Sequence, residues 1–228
     1  MISPAKTAES VSSTQKTEEL QPPETQPSTP QCEIHEGSHV TTPGVITGKE
    51  ALRDFIINDS WHYLLLWNKL YKAEIFKTLR LREDFLHEDE EISGKILSSC
   101  GKIALTTEKL YIYVKRRGSL IDQARRIPAN TLRTFREMLT ISRERCAILQ
   151  KLGMNDELYH YTRKAPYGRL LAVLGHVNII QYRHEISGEL ARTFKTLIAS
   201  REIGYKLSAV KLILKAAMSM FRPFVKEA

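Results

Sequence analysis

Trp67-Asn68-Lys69-Leu70-Tyr71, His87-Glu88-Asp89-Glu90-Glu91, Leu110-Tyr111-Ile112-Tyr113 and Arg116-Arg117-Gly118-Ser119 are four short blocks within residues 67–119, and their reading decides the fold. This stretch alone joins segments of buried type to clustered groups able to do chemistry. Residues 88–100 predict a helix. Carboxylates crowd its first turn, Ile92, Ile96, Leu97 and Cys100 share one face, and Gly101 supplies the stop. Unpaired N–H groups at a helix start stabilise each nearby carboxylate by about 0.3–1 kcal/mol, so helix capping accounts for the acidic turn by itself.

Working outward, Thr47-Gly48-Lys49-Glu50 has the form of a capping box and predicts a helix with Leu52, Phe55 and Ile56 on one face, ending near Asp59. The apolar run 61–67 suits a buried extended segment, 72–79 a short helix, and 80–85 a loop that delivers His87 to the next helix start. Residues 102–114 predict two short strands around Thr106-Thr107, with Tyr111 and Tyr113 on the same face. By residue type alone these tyrosines are core aromatics, Lys69 is a solvated surface lysine, and 116–119 is a basic turn able to hold an anion. Beyond it the chain predicts helices over 130–152 with Gly153 as stop, over 166–200, and over 205–221 with Pro223 behind it. Leu132, Phe135, Leu139, Cys146 and Leu149 give the first of these a packing stripe. His160, His176 and His184 are scattered and form no ligand pair.

Taken in order, the four blocks resemble the C-terminal part of bacterial family-two glycosyltransferases, inverting enzymes of GT-A fold that build polysaccharides from nucleotide sugars. That family carries a Trp-Asn-Lys-Leu-Tyr segment, a Glu-Asp pair opening a helix, a Tyr-x-Tyr strand and an Arg-x-Gly-Ser turn. The resemblance covers about residues 48–119, with a looser match through the helical tail, and lacks the family's N-terminal half. It implies Asp89 as the base that takes the proton of the acceptor hydroxyl, with Glu88 helping to orient the site. It further implies substrate-binding roles for Trp67, Lys69 and Ser119, Lys69 lying near the acceptor or the departing diphosphate, and a place near the diphosphate for Arg116 or Arg117. The expected partners are a nucleotide sugar and a glycan or lipid-linked acceptor. The family also uses Mg²⁺ or Mn²⁺ held by an Asp-x-Asp element. No such element occurs here, where the aspartates are Asp54, Asp59, Asp84, Asp89, Asp122 and Asp156. The expectation is therefore a chain that transfers no sugar alone, either a divided enzyme or a half that works with a separately encoded donor-binding subunit.

Charge and composition set the outer bounds. The chain of 228 residues is 42% hydrophobic, enough for a core over most of its length. Its net charge is +8, but residues 1–47 hold two lysines against six glutamates, net −4, which leaves +12 on the remainder. Such a body favours anionic partners without choosing among them. Residues 1–46, rich in Ser, Thr, Pro, Gln and Glu, read as a disordered leader. Within it Cys32, His35 and His39 fall short of a structural zinc set for want of a fourth ligand. Residues 47–121 then read as a partial catalytic domain and 122–228 as a helical C-terminal region, giving an α+β, mainly α, chain. Three distant cysteines point to a reducing compartment, and no apolar run approaches the roughly 20 residues that span a bilayer, so the cytoplasm is the expected location.

A second class competes with the enzyme. In the last predicted helix Lys206, Lys211, Lys215, Arg222 and Lys226 accompany Leu207, Val210, Leu214, Met218, Phe221 and Phe224, a pattern suited to the inner membrane surface or a partner protein. Nucleic-acid binding has only the charge in its favour, with no reading motif or stacking-aromatic pattern, so no nucleic-acid partner is expected.

Overall fold

The computed structural model of the chain describes residues 33–35, 42–83, 85–115 and 128–224. Its first helix, α1 (Gly48–Asn58), begins with the capping box that the sequence predicts: the Glu50 amide donates to the Thr47 hydroxyl at 3.2 Å, and the Thr47 amide to the Glu50 carboxylate at 2.6 Å. Ala51, Leu52 and Ile56 are buried. A short α2 (Ile75–Thr78) and the acidic-headed α3 (Glu88–Ser99) follow, and Ile92, Ile96 and Leu97 are buried as their spacing requires. The head of α1 meets the tail of α3 at backbone contact. The Gly48 amide donates to the Cys100 carbonyl at 3.1 Å, and a Cβ at Gly48 would lie 1.8 Å from the Leu97 carbonyl oxygen. Only glycine permits that approach.

Among the described residues four three-residue strands form two antiparallel pairs. β1 (Glu33–His35) pairs with β4 (Tyr113–Lys115), and β2 (Gly44–Ile46) with β3 (Ile103–Leu105). Residues 33–35 and 44–46, both within the segment read as a disordered leader, form strands, which corrects that reading there. The two strands expected within 102–114 lie at 103–105 and 113–115. Each finds a partner more than fifty residues upstream, a pairing invisible to local periodicity.

Four longer helices complete the described chain: α4 (Pro128–Lys151), α5 (Asn155–Leu174), α6 (Arg183–Ile198) and α7 (Ile203–Ser219). Gly153, at φ +69°, turns the chain out of α4 as predicted. The single helix expected over 166–200 is corrected to two. The first starts eleven residues earlier and carries Pro166 inside it, with the Thr162 hydroxyl donating back to the Leu158 and Tyr159 carbonyls. The break between α5 and α6 is fixed by buried Asn178, whose carbonyl accepts from the Ile180 and Gln181 amides and whose NH₂ donates to the Met220 and Arg222 carbonyls. Four hydrogen bonds on one buried amide outweigh continued helix at that point.

Apolar burial divides into two clusters. One joins Leu52, Ile56, Tyr63 and Leu97 to Leu149, Met154 and Tyr161; the other joins Leu132 and Phe135 to Leu170, Leu174, Ile186, Leu197 and Leu212. Helices α4 and α5 contribute to both. The architecture is thus mainly helical with two small antiparallel sheets, and no helix among the described residues is long and apolar enough to cross a membrane.

Candidate functional site

The run 61–67, expected to be extended, is instead a 3-10 turn at Trp61–Leu64 followed by a bend. Among the described residues no strand pairs with it, and its carbonyls take another donor. The Lys69 ammonium donates to the His62 carbonyl at 2.8 Å, the Leu65 carbonyl at 2.5 Å and the Asn68 side-chain oxygen at 2.7 Å. Lys69 is accordingly half-buried and not a solvated lysine. Burial lowers its pKa to about 8, while the charge of Asp89 pulls the other way. In this geometry all three ammonium protons brace the turn.

Asp89 sits in the first turn of α3, half-buried, and one carboxylate oxygen accepts the Glu90 amide at 2.8 Å. Burial pushes its pKa up and the Glu90 and Glu88 charges push the same way, against that hydrogen bond and the His87 ring. Glu88 itself is exposed. Tyr71 stands close enough to Asp89 and Cys100 to feel both, and burial above all raises its hydroxyl to about 12. Trp67 stacks on Tyr111 with ring centroids 4.8 Å apart and a 32° tilt. Tyr111 lies outside any strand and is 52% exposed, which corrects its reading as a core aromatic on a strand face with Tyr113. The Trp67–Tyr111 stack joins the first and third blocks, and the charge of Asp89 in the second acts on Lys69 and Tyr71 of the first. Arg116, Arg117 and Ser119 lie outside the described residues.

The turn bearing Asp89 is held from behind by α4. The Leu86 amide donates to the Glu137 carboxylate at 2.9 Å, and the His87 ring lies 3.4 Å from the Thr134 hydroxyl. Arg82 bridges Glu91 at 3.4 Å and Glu144 at 2.7 Å, and Lys95 pairs with both of the same acids. Arg145, fully buried, donates to the Glu90 carbonyl at 2.6 Å and lies 5.1 Å from the Phe55 ring centre and 5.6 Å from that of Tyr161. Sequence reasoning missed both Tyr71 and Arg145 as members of this constellation. The first stood in the Trp-Asn-Lys-Leu-Tyr block. The signal for the second was a cation set one turn before Leu149, on the apolar stripe of α4.

Among the described residues no group of three or more His, Cys, Asp or Glu side chains is placed to hold a metal ion. The Asp-x-Asp element with which the resembled family holds Mg²⁺ or Mn²⁺ does not occur in the sequence. A cleft of about 510 Å³ between α4, α5 and α6, lined by residues such as Ser142, Cys146, Thr162 and Arg192, contains none of the predicted site residues. No protein-family model, curated protein or solved structure matches this chain.

Proposed function

We propose that the chain provides the acceptor side of an inverting sugar transfer from a nucleotide sugar to a glycan or lipid-linked acceptor. The finer fold reading, the C-terminal part of a GT-A domain, belongs to the same proposal. One observation carries it. Asp89, a half-buried carboxyl at a helix head, shares its surroundings with Lys69 and Tyr71 from a separate block, while the Trp67–Tyr111 stack presents an aromatic surface. Capping of α3 alone requires no such convergence.

In an inverting transfer the acceptor hydroxyl attacks the anomeric carbon opposite the departing nucleotide, and one carboxylate within hydrogen-bond reach takes its proton. Burial raises the basicity of Asp89 in the direction that this task needs, and α4 holds the chain on either side of it through Leu86 and Glu90. Such a base contributes a factor of about 10²–10⁴, whereas aligning donor and acceptor contributes about 7–11 kcal/mol. The proposal therefore includes a separate donor-binding partner, without which these 228 residues transfer no sugar.

Saturation-transfer NMR on the purified chain with a panel of oligosaccharides tests the acceptor side. Millimolar binding that Trp67→Ala abolishes and Asp89→Asn leaves in place is the expected result. Absence of any glycan binding by natively folded chain, or binding indifferent to Trp67→Ala, overturns the reading. Titration with nucleotide sugars and Mn²⁺ by calorimetry checks the donor side, where micromolar binding is the adverse outcome.

A further inference from the structure

Helix α7 has two apolar faces, and the fold uses one of them. Ala209, Leu212 and Ala216 are buried against the C-terminal cluster. On the opposite side Ile203, Leu207, Val210, Leu214 and Met218 recur at three- and four-residue spacing, and each is more than half exposed. Phe221, just past the helix, continues the line at 91% exposed, and Phe224 follows at 65%. Five consecutive stripe positions left to solvent exceed the scattered single exposures normal for a surface.

The charges carried by residues 203–224 themselves are all of one sign. Lys206 borders the stripe on one side, and Lys211 and Lys215 on the other, while residues 203–224 contain no Asp or Glu. Lys206 and Lys211 are exposed and Lys215 is half-buried. Arg222 turns inward, donating to the Leu174 carbonyl at 3.2 Å, which ties the segment after the helix to α5.

We infer that the outer face of α7 docks on an anionic lipid surface, with Leu207, Leu214, Met218 and Phe221 entering the headgroup boundary and Lys206, Lys211 and Lys215 meeting the lipid phosphates. An apolar stripe bordered by lysines is the arrangement that lies in the plane of a bilayer. Charge complementarity selects this occupant over a second copy of the chain. A symmetric pairing of two α7 faces brings lysine rows against each other with no acid between residues 203 and 224 to neutralise them. The inference rests on α7 alone and stands whether or not the sugar-transfer reading does.

Flotation of the full chain with phosphatidylcholine vesicles, with and without added phosphatidylglycerol, at low and high salt, is the test. Recovery with the anionic vesicles at low salt, lost at high salt, is expected. A chain carrying Leu207→Gln, Leu214→Gln and Met218→Gln, checked for native circular dichroism, should partition less by roughly tenfold per side chain. Lys206→Gln with Lys211→Gln should cost about fivefold per lysine on anionic vesicles at low salt. Equal recovery with and without anionic vesicles overturns the inference, as does partition unchanged in the triple variant. So does a wild-type dimer in analytical ultracentrifugation that the triple variant converts to monomer, since a second copy then covers the face.

Discussion

The two apolar clusters of this molecule are held together differently. Around α5, α6 and α7 the interior is aliphatic, with Leu170, Leu174, Ile186, Leu197 and Leu212 at or near zero exposure and one buried amide, Asn178, setting the corner. Around α1 and α3 the interior is smaller and laced with charge. Arg145 lies within 5.1 and 5.6 Å of two aromatic ring centres, Glu91 and Glu144 share Arg82 and Lys95, Glu157 accepts Arg53 at 2.5 Å, and Lys69 closes a turn with its ammonium. An aliphatic core stabilises without regard to direction, whereas a buried ion pair or cation stabilises only in one geometry. The region that carries Asp89 is thus the one whose side chains are held by directional bonds. Positioning matters there, and bulk stability matters in the other.

That contrast can be broken, beginning with the largest effect. Gly48→Ala places a methyl group against the Leu97 and Cys100 carbonyl oxygens, at 1.8 and 2.8 Å, where neither backbone can move freely. A loss of about 3 kcal/mol is expected in denaturant unfolding. Hydrogen exchange should rise first in α1, α3 and the β2–β3 pair while α6 and α7 stay protected; uniform loss across the chain shows that the two clusters do not differ in kind. Arg145→Met is the next step. It keeps much of the volume but leaves the Glu90 carbonyl without its 2.6 Å donor, and about 2 kcal/mol should be lost. An unchanged or raised stability shows that apolar packing suffices around α3, as it sometimes does when buried ion pairs are replaced.

A pH-dependent effect concerns Lys69. With its folded-state pKa at about 8 and the unfolded value at 10.5, the unfolded chain binds more protons between those limits. This group therefore adds stability as pH rises from about 8 toward 10.5, and Lys69→Met should remove that slope. Carbon-detected NMR of labelled lysine side chains reads the titration directly. A Lys69 midpoint that stays near 10.5 shows that the three oxygen partners outweigh burial, and that the clamp is tighter than its desolvation suggests.

Much of the local structure was legible. The Thr47–Glu50 box, the acidic head and buried stripe of α3, and the Gly153 stop are statements about neighbouring residues, decided by capping, periodicity and left-handed backbone. The order of the first three site blocks was equally a property of the chain. What failed lay in pairings over distance. A strand at 33–35 exists only because 113–115 meets it, and the corner at Asn178 exists because the end of α7 returns to accept its NH₂ groups.

By itself the sequence determined where α1 and α3 begin, which of their faces are apolar, and that Asp89 heads a helix, because each follows from spacing along one chain. Tertiary structure alone decided that Lys69 is half-buried, that Arg145 is enclosed, that Gly48 tolerates no side chain, and that one apolar face of α7 is covered while the other is left open. These depend on what approaches from a distant element, and burial, desolvation and hydrogen-bond satisfaction are set by that approach rather than by the residue's neighbours in sequence.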